Sequence, residues 1–501
     1  FKPDLFDNPP DPDGWNELHF PPEYTMSHFE MSHILPHLIK DGRGSMDVYF
    51  TRVFNPVWTF PDGFSWMEML QNKESVGCHV AMTPTWNETA FFADYVLPMG
   101  HSAERHDVNS YATSSGKWVA FRQPVLREYA RREGREVEFT HEVNPGEVWE
   151  EDEFWNELSW RIDDGTMGIR EHFMSPYREG EKITIDEYYQ YLFERVPGLP
   201  EAAEKEGTDA LGYMRKHGAF LIEESTYKKY EEEGWPTPSG KQEFYSETMI
   251  EFGYPEHSIP HYRQKSHVHP ENLVGENEYC LLPNFRLPQH IHSRSANAKW
   301  LVEIAHRNPI WIHPKDARKL GVAEGDLLKI ETEIGWFVDK VWVTEGIKPG
   351  VVGCSHHIGR WRRNQDAGNR FLTNTVNIED NGDGKMRMRT VSGIEPWKSD
   401  DPDTNRIWWR DGGVHQNITH AVQPDPISGA HCWLQKVKLS LPGEGEEYGD
   451  IEVDQQKSFD YYKRWNNWAK DRETHPRGER RPLWMKRPLP PKKEHWYIKE
   501  E

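Results

Sequence analysis

Two stretches of this chain hold side chains dense enough in chemistry to build a site. The first reads Pro283-Asn284-Phe285-Arg286 and continues as His290-Ile291-His292-Ser293-Arg294-Ser295-Ala296-Asn297. Its amides, hydroxyl groups, guanidinium groups and imidazoles make a polar loop able to read a polar ligand. The second, Gly350-Val351-Val352-Gly353-Cys354-Ser355-His356-His357, ends a strand on two adjacent imidazoles. An unperturbed imidazole titrates near neutrality, so His356 or His357 could donate a proton or hold an anionic substrate; the plain alternative is a structural histidine. His290 and His292 stand two residues apart, but no third or fourth ligand lies nearby in the sequence, so no metal site is read there. Cys354 reads as a small buried residue, not a nucleophile.

Upstream, Thr85-x-x-Glu88 has the spacing of a capping box and predicts a helix start just after a strand that ends at Met82. The free amides and positive dipole end of such a helix would suit a phosphate or a ribose at the carboxyl edge of a sheet. Asn55-Pro56 marks a turn after another strand.

The elements that must position these residues follow from hydrophobic patterning. Residues 48–54 read as a buried strand, 64–72 as a helix, 76–82 as a second strand and 95–97 as a third, an alternation that predicts a parallel α/β sheet. Pro314 fits the first turn of a helix and Gly321 its end, and 327–332 and 336–343 alternate as paired strands. The expected division is an extended lead-in over 1–45 and an α/β cofactor-binding region over 46–160. A helix near 151–162 closes that region, and a helical and irregular insertion follows over 161–278, with helices near 185–195 and 208–217. A β-barrel domain spans 279–440, and an extended tail over 441–501, with a helix near 458–470, is expected to wrap a partner.

The chain has 501 residues, so roughly three domains are expected. Its 60 basic against 82 acidic residues leave a net charge of −22, which argues against a nucleic-acid partner. The four cysteines are scattered, without the close spacing of a zinc or iron–sulfur site or a disulfide framework. No run approaches the ~20 apolar residues that span a bilayer. A nucleotide-binding enzyme of the ordinary kind would show Gly-x-Gly-x-x-Gly after a strand, and the sequence has none.

Taken together and in this order, Asn87-Glu88-Thr89-Ala90-Phe91-Phe92-Ala93-Asp94-Tyr95-Val96-Leu97-Pro98, the Asn284–Asn297 loop and the His313-to-Asp326 segment resemble the C-terminal half of the molybdenum and tungsten bis-pyranopterin guanine dinucleotide oxidoreductases. That family includes formate dehydrogenases, nitrate reductases and polysulfide reductases. The resemblance covers most of residues 46–440. It implies a parallel α/β nucleotide-binding sheet followed by a double-psi-like β-barrel. It assigns cofactor contacts to Asn55, Met82, Thr83, Arg105 (often Lys in the family) and Glu153. In the later half it assigns them to Asn284, Phe285, Arg286, His290, His292, Ser293, Arg294, Asn417 and Gln435, the last placed about ten residues after Asp425. His356 and His357 would face the reacting centre. The implied cofactor is molybdenum or tungsten bis-molybdopterin guanine dinucleotide. The metal ligand and a [4Fe–4S] cluster are expected in a missing N-terminal half or a partner chain. An iron–sulfur electron-transfer subunit and a membrane anchor subunit are the further expected partners, in a prokaryotic host, with a cytoplasmic setting preferred over a periplasmic one. The spelling His292-Ser293-Arg294-Ser295-Ala296-Asn297 is closest to the polysulfide and thiosulfate branch. A formate dehydrogenase-like subunit and a scaffold that lost its metal are the alternatives.

Overall fold

The computed structural model describes residues 30–113, 116–225, 227–235, 237, 239–251, 255–261, 274–285, 287–366, 372–396, 398–424 and 430–470. The described residues divide into two compact units, the first drawn from 30–81, 85–96 and 237–470 and the second from 82–84 and 97–235.

In the first unit, strands β1 (Met46–Arg52), β2 (Val76–Thr83) and β3 (Tyr95–Pro98) form a sheet in that order. The last residues of β2 and β3 are counted with the second unit. Met46 donates its N–H to the Ser75 carbonyl and Thr51 meets His79, so β1 and β2 advance in the same direction. Helices Pro56–Thr59 and Gly63–Gln71 supply the crossover that parallel strands require. The predicted strand at 48–54 is present two residues earlier, but it is an edge strand and is not buried: Val48 is exposed and Thr51 alone is fully covered. The lead-in also departs from expectation. A 3₁₀ turn (Glu30–Ile34) and a helix (Leu35–Lys40) bury Ile34, His37 and Leu38 against this layer.

The second layer is a closed barrel. Strands β7 (Glu278–Phe285), β8 (Ile310–Ile312), β9 (Leu327–Glu331), β10 (Gly335–Val343), β11 (Val351–Ser355) and β15 (Gln435–Ser440) pair in the ring β10-β8-β11-β7-β15-β9, and β9 pairs back to β10. Three more strands, β12 (Trp361–Arg363), β13 (Asn374–Asp380) and β14 (Lys385–Ser392), extend the sheet beyond the ring, joined to β10 through β16 (Ile451–Asp454). Alternate side chains fill the interior: Leu281, Leu328, Ile330, Phe337, Val352 and Val437 are all buried. The described part of the stretch expected as an extended tail, residues 441–470, adds to this core. Strand β16 bridges β10 and β14, and helix Gln455–Lys470 buries Tyr462 and Trp465. Residues 471–501 lie outside the described residues.

The second unit is built on an antiparallel sheet of β4 (Asp107–Thr113), β5 (Gly116–Arg122) and β6 (Ala219–Glu224), packed on helices Ile185–Phe193, Leu199–Lys205 and Ala210–His217. Helix Glu151–Ile162 has the predicted bounds and belongs to this unit, as does β4–β5, which the sequence places with the α/β region.

Candidate functional site

Strands β7 and β11 are parallel neighbours, so the loop after β7 and the residues after β11 leave the barrel at the same end. Asn308 holds that end in place: its side chain accepts from the Ser355 N–H (2.7 Å) and donates to the Ser355 carbonyl (2.7 Å), just ahead of His356. Gly359 (φ 87°) then lets the chain pass against Val414, where a Cβ would meet backbone at 2.3 Å. Arg360 follows, and it ties the two sequence signatures together.

Glu88 is fully buried and Arg360 nearly so. Arg360 Nε donates to both Glu88 oxygens (2.6 and 2.9 Å), Trp361 N–H to Oε1 (3.0 Å) and Asn55 Nδ2 to Oε2 (2.8 Å). Asn55 Nδ2 also reaches Ser293 Oγ (2.7 Å), while Arg360 Nη1 donates to the Ser293 carbonyl (3.2 Å). Asn297 Nδ2 donates to Thr85 Oγ1 at 2.9 Å. The capping box predicted from Thr85 and Glu88 is therefore absent. Thr85 serves Asn297, Glu88 serves Arg360, and only a single 3₁₀ turn, Thr89–Phe92, follows. Its first amides are already used, Thr89 N–H by Asn55 Oδ1 (3.0 Å) and Ala90 N–H by Asn87 Oδ1 (2.9 Å), so no phosphate site forms there. A buried guanidinium is a stronger claim on a carboxylate than a backbone amide, which is why the cap loses.

Hydrogen bonds fix the protonation of several imidazoles. His292 N–H donates to Nδ1 of His357 at 2.6 Å, so neutral His357 carries its proton on Nε2 and presents a donor. His290 has the opposite polarity. Its Nε2 sits 2.8 Å from the Ala305 carbonyl, which can only accept, so Nδ1 is left as an acceptor; burial lowers the pKa of this ring. His292, His356 and His357 offer nitrogen atoms within 4.8 Å of one another, with ring centroids 3.9–5.1 Å apart. His292 holds φ at 46°, a left-handed conformation that costs a bulky residue energy and that functional sites retain. A cation could enter this trio only by displacing the His292–His357 hydrogen bond if it used Nδ1 of His357. The third ligand that the sequence did not reveal comes from β11, far along the chain.

His415, not singled out in the sequence, is a structural pin. It accepts from Trp361 Nε1 (2.9 Å) and donates to the Trp58 carbonyl (2.9 Å), and burial holds its pKa down at about 4. Asn417 donates to the carbonyls of Trp58 (3.0 Å) and His356 (3.4 Å), positioning the His356 backbone. Gln435 begins β15, buried, with its amide on the Cys432 carbonyl (3.4 Å). Arg294 points to solvent. Arg286, the side chains of Asn284 and Phe285, and the segment around Asp425 lie outside the described residues.

The other predicted contacts sit in the second unit. Met82 lines a cavity of about 440 Å³ with Leu97, Met99, Trp149, Glu151 and Phe154. Thr83 accepts from Met99 N–H through its carbonyl at 3.2 Å. Arg105 pairs with Glu151 (3.2 Å). Glu153 is turned elsewhere: it accepts from Arg127 (2.5 Å) and from Thr140 N–H and Oγ1 (2.8 Å each), and burial raises its pKa in spite of Arg127. Glu151, two residues earlier, lines the cavity, as does Glu157 further along the helix.

The barrel end offers hydrogen-bonding groups that the protein itself leaves unused. Among the described residues, Gln416 Oε1, Asn417 Oδ1, His290 Nδ1 and both ring nitrogens of His420 are buried without a hydrogen-bond partner. Buried polar atoms of this kind are satisfied in native proteins by protein, water or ligand. Donors and acceptors in that mixture fit a heterocycle with ring nitrogens and amides.

Comparison with known proteins gives the kind of domain to which this barrel is similar. Residues 281–382 match the Molydopterin dinucleotide binding domain. The chain is similar to the arsenate respiratory reductase molybdopterin-containing subunit of Chrysiogenes arsenatis, 24% identical over 67% of this chain and 41% of that protein. It is similar to the thiosulfate reductase molybdopterin-containing subunit of Salmonella typhimurium, 25% identical over 57% of this chain and 35% of that protein. Acetylene hydratase from Pelobacter acetylenicus shares the fold, with a TM-score of 0.52 at 20% identity, covering 79% of this chain and 44% of that one. Residues 281–382 thus carry the likeness to a molybdopterin dinucleotide-binding domain, and the chain as a whole is similar to molybdopterin-containing reductase subunits. It spans about two fifths of the length of the curated relatives it matches. Among the described residues no helix is long and apolar enough to cross a membrane.

Proposed function

We propose that this chain is the C-terminal part of the catalytic subunit of a molybdenum- or tungsten-dependent oxidoreductase, and that it holds bis-molybdopterin guanine dinucleotide. The observation that carries the reading is the opposed polarity of His357 and His290 at a barrel end stocked with unpartnered buried polar atoms. The six-stranded ring is read as the double-psi barrel of that family. When bound, the metal and its dithiolenes supply two-electron redox chemistry. The chain supplies binding and orientation. His357 Nε2–H and Ser293 would donate to the pterin, His290 Nδ1 would accept from it, and Asn55 and Arg360 would hold Ser293 in place. His356, at the end of β11, would hold an anionic substrate or pass a proton. In the second unit, Arg105 and the cavity beside Met82 and Glu151 would take the nucleotide tail; Glu153, committed to Arg127 and Thr140, is replaced there by Glu151.

The proposed substrate is a sulfur compound such as polysulfide, thiosulfate or sulfite, on the Asn284–Asn297 loop, and the likeness to a thiosulfate reductase subunit supports it. The metal ligand and a [4Fe–4S] cluster are assigned to a complementary N-terminal half or chain, with an iron–sulfur subunit receiving electrons. The test is elemental molybdenum and tungsten, with pterin fluorescence, on the natively purified assembly. A pair of pterin dinucleotides for each metal ion is expected, falling sharply in His290→Phe and His357→Phe. Neither metal nor pterin, with the complementary half verified present, overturns the reading and leaves a scaffold. Activity assays should set thiosulfate and polysulfide against arsenate, the substrate named for a relative of similar identity.

A further inference from the structure

The second unit contains another cavity, of about 340 Å³, apart from the one lined by Met82. It lies within the size range of small-molecule sites. Its walls are the end of the β4–β5 hairpin, helix Val125–Arg132, the turn at 134–137, and the helices that carry Asp186 and Arg215. Four arginines converge on it, Arg127, Arg131, Arg135 and Arg215, against the carboxylates of Glu128, Glu136 and Asp186. The lining carries four guanidinium groups against three carboxylates. Arg131 is taken by Glu128 (2.9 Å) and Arg215 by Asp186 (2.6 Å), but the carboxylate partner of Arg127 is Glu153, which is not part of the lining. Arg135 is exposed and makes no ion pair among the described residues.

The floor of the cavity is His106. Its side chain is 3% exposed and lies between the rings of Phe121 (centroids 5.7 Å apart) and Tyr189 (4.9 Å). Nδ1 has no hydrogen-bond partner; the nearest carboxylate oxygen, on Glu150, is 3.9 Å away. An unsatisfied buried imidazole beneath four guanidinium groups is costly to the empty protein, and it becomes useful when an anion arrives.

We propose that this cavity binds a small multivalent oxyanion, of phosphate, sulfate or polycarboxylate chemistry, gripped by Arg127, Arg131, Arg135 and Arg215 with His106 as its floor. The inference stands independently of the pterin reading, because it uses another cavity and other residues. Binding is coupled to proton uptake. Burial, then the charges of Arg127 and Arg215, hold the His106 pKa down at about 3, while Asp186 and Glu128 pull it up and Glu150 stands alongside. A dianion seated among the guanidinium groups reverses the repulsive part and draws a proton onto the ring.

The experiment is isothermal titration calorimetry of the full chain with inorganic phosphate, sulfate and citrate. Saturable binding to one site is expected, weakened about tenfold in Arg135→Gln and in Arg131→Gln, in line with the loss of one charge-assisted contact. Arg135 is exposed, so its variant keeps the fold and the test remains decisive. Sulfate, which remains a dianion in mild acid, reports the linkage. In two buffers of different ionisation enthalpy at about pH 5 it should show proton uptake that disappears in His106→Gln. No saturable heat with any of the three anions, or unchanged affinity in both arginine variants, overturns the proposal. Binding without proton uptake overturns the role of His106.

Discussion

Replacing Glu88 by Gln tests the joint between the two signatures. The carboxylate receives Arg360 Nε on both oxygens, Trp361 N–H and Asn55 Nδ2, all at 2.6–3.0 Å and all buried. The amide keeps the shape but removes the charge, and it turns an NH₂ group toward either Arg360 or Asn55. Arg360 then remains buried as an uncompensated cation, a change that costs about 3–5 kcal/mol. With a urea m-value of about 2 kcal/mol/M, the unfolding midpoint of the first unit should fall by roughly 1.5–2.5 M. Urea titration followed by circular dichroism and tryptophan fluorescence reads this, since Trp58 lies under Arg360 (5.3 Å) and Trp361 donates to Glu88. The double variant Glu88→Met/Arg360→Met should recover most of the loss, because it removes both buried charges. A midpoint shift below about 0.3 M in the single variant, or no recovery in the double, would refute the argument that this pair holds the site together.

His415→Phe strands the buried Trp361 Nε1–H and should cost about 1–3 kcal/mol in urea melts near neutrality. The folded ring has a pKa of about 4 against 6.5 for an exposed one, so its contribution is complete above pH 6.5 and is lost as pH falls toward 4. The variant should therefore show a shallower acid limb, and equal slopes would contradict the assignment. Asp339 lies inside the barrel, where burial raises its carboxyl pKa well above the ordinary range, with Oδ2 unpartnered. Folding then demands a protonated Asp339, so wild-type stability falls as pH rises beyond the ordinary carboxylate range. Asp339→Asn should be more stable at pH 7.5, with the gap narrowing at pH 4.5; a gap independent of pH would count against it.

Much of this architecture is legible in the sequence. The strands at 76–83 and 95–98, the helix bounds at Pro314 and Gly321, and helix Glu151–Ile162 follow from periodicity and local turn chemistry. The closed ring of strands follows only from the family resemblance. What fails depends on tertiary partners. The Thr85-x-x-Glu88 spacing is a real local signal, but Arg360, 272 residues later, claims the carboxylate. Strand β16 is short and follows an acidic stretch, so nothing local shows that it bridges β10 and β14. Glu151 and Glu153 lie one turn-step apart on a helix start, and spacing alone cannot say which faces a cavity; Thr140 and Arg127 decide it. His292, His356 and His357 become one cluster because β7 and β11 are parallel neighbours, a fact about register and not composition.

The same register explains why the site sits at this end of the barrel. Parallel strands must release their carboxyl ends on one side, so register already brings the loop after β7 to the histidines after β11, and the His292–His357 hydrogen bond then joins them. The folded protein then carries the expense of the arrangement: left-handed backbone at His292 and the unpartnered atoms of His290, Gln416, Asn417 and His420. At about 1–3 kcal/mol for each unsatisfied group, a site like this drains stability from the empty chain. The ion pair of Glu88 and Arg360, closed by four buried hydrogen bonds, fixes the geometry beside it and adds little net stability over an apolar pair. Rigidity beside the site and strain within it are thus two parts of one arrangement. The network keeps Asn55, Ser293 and the barrel end in register, so that a ligand finds its donors and acceptors already in position and restores what the empty site lacks.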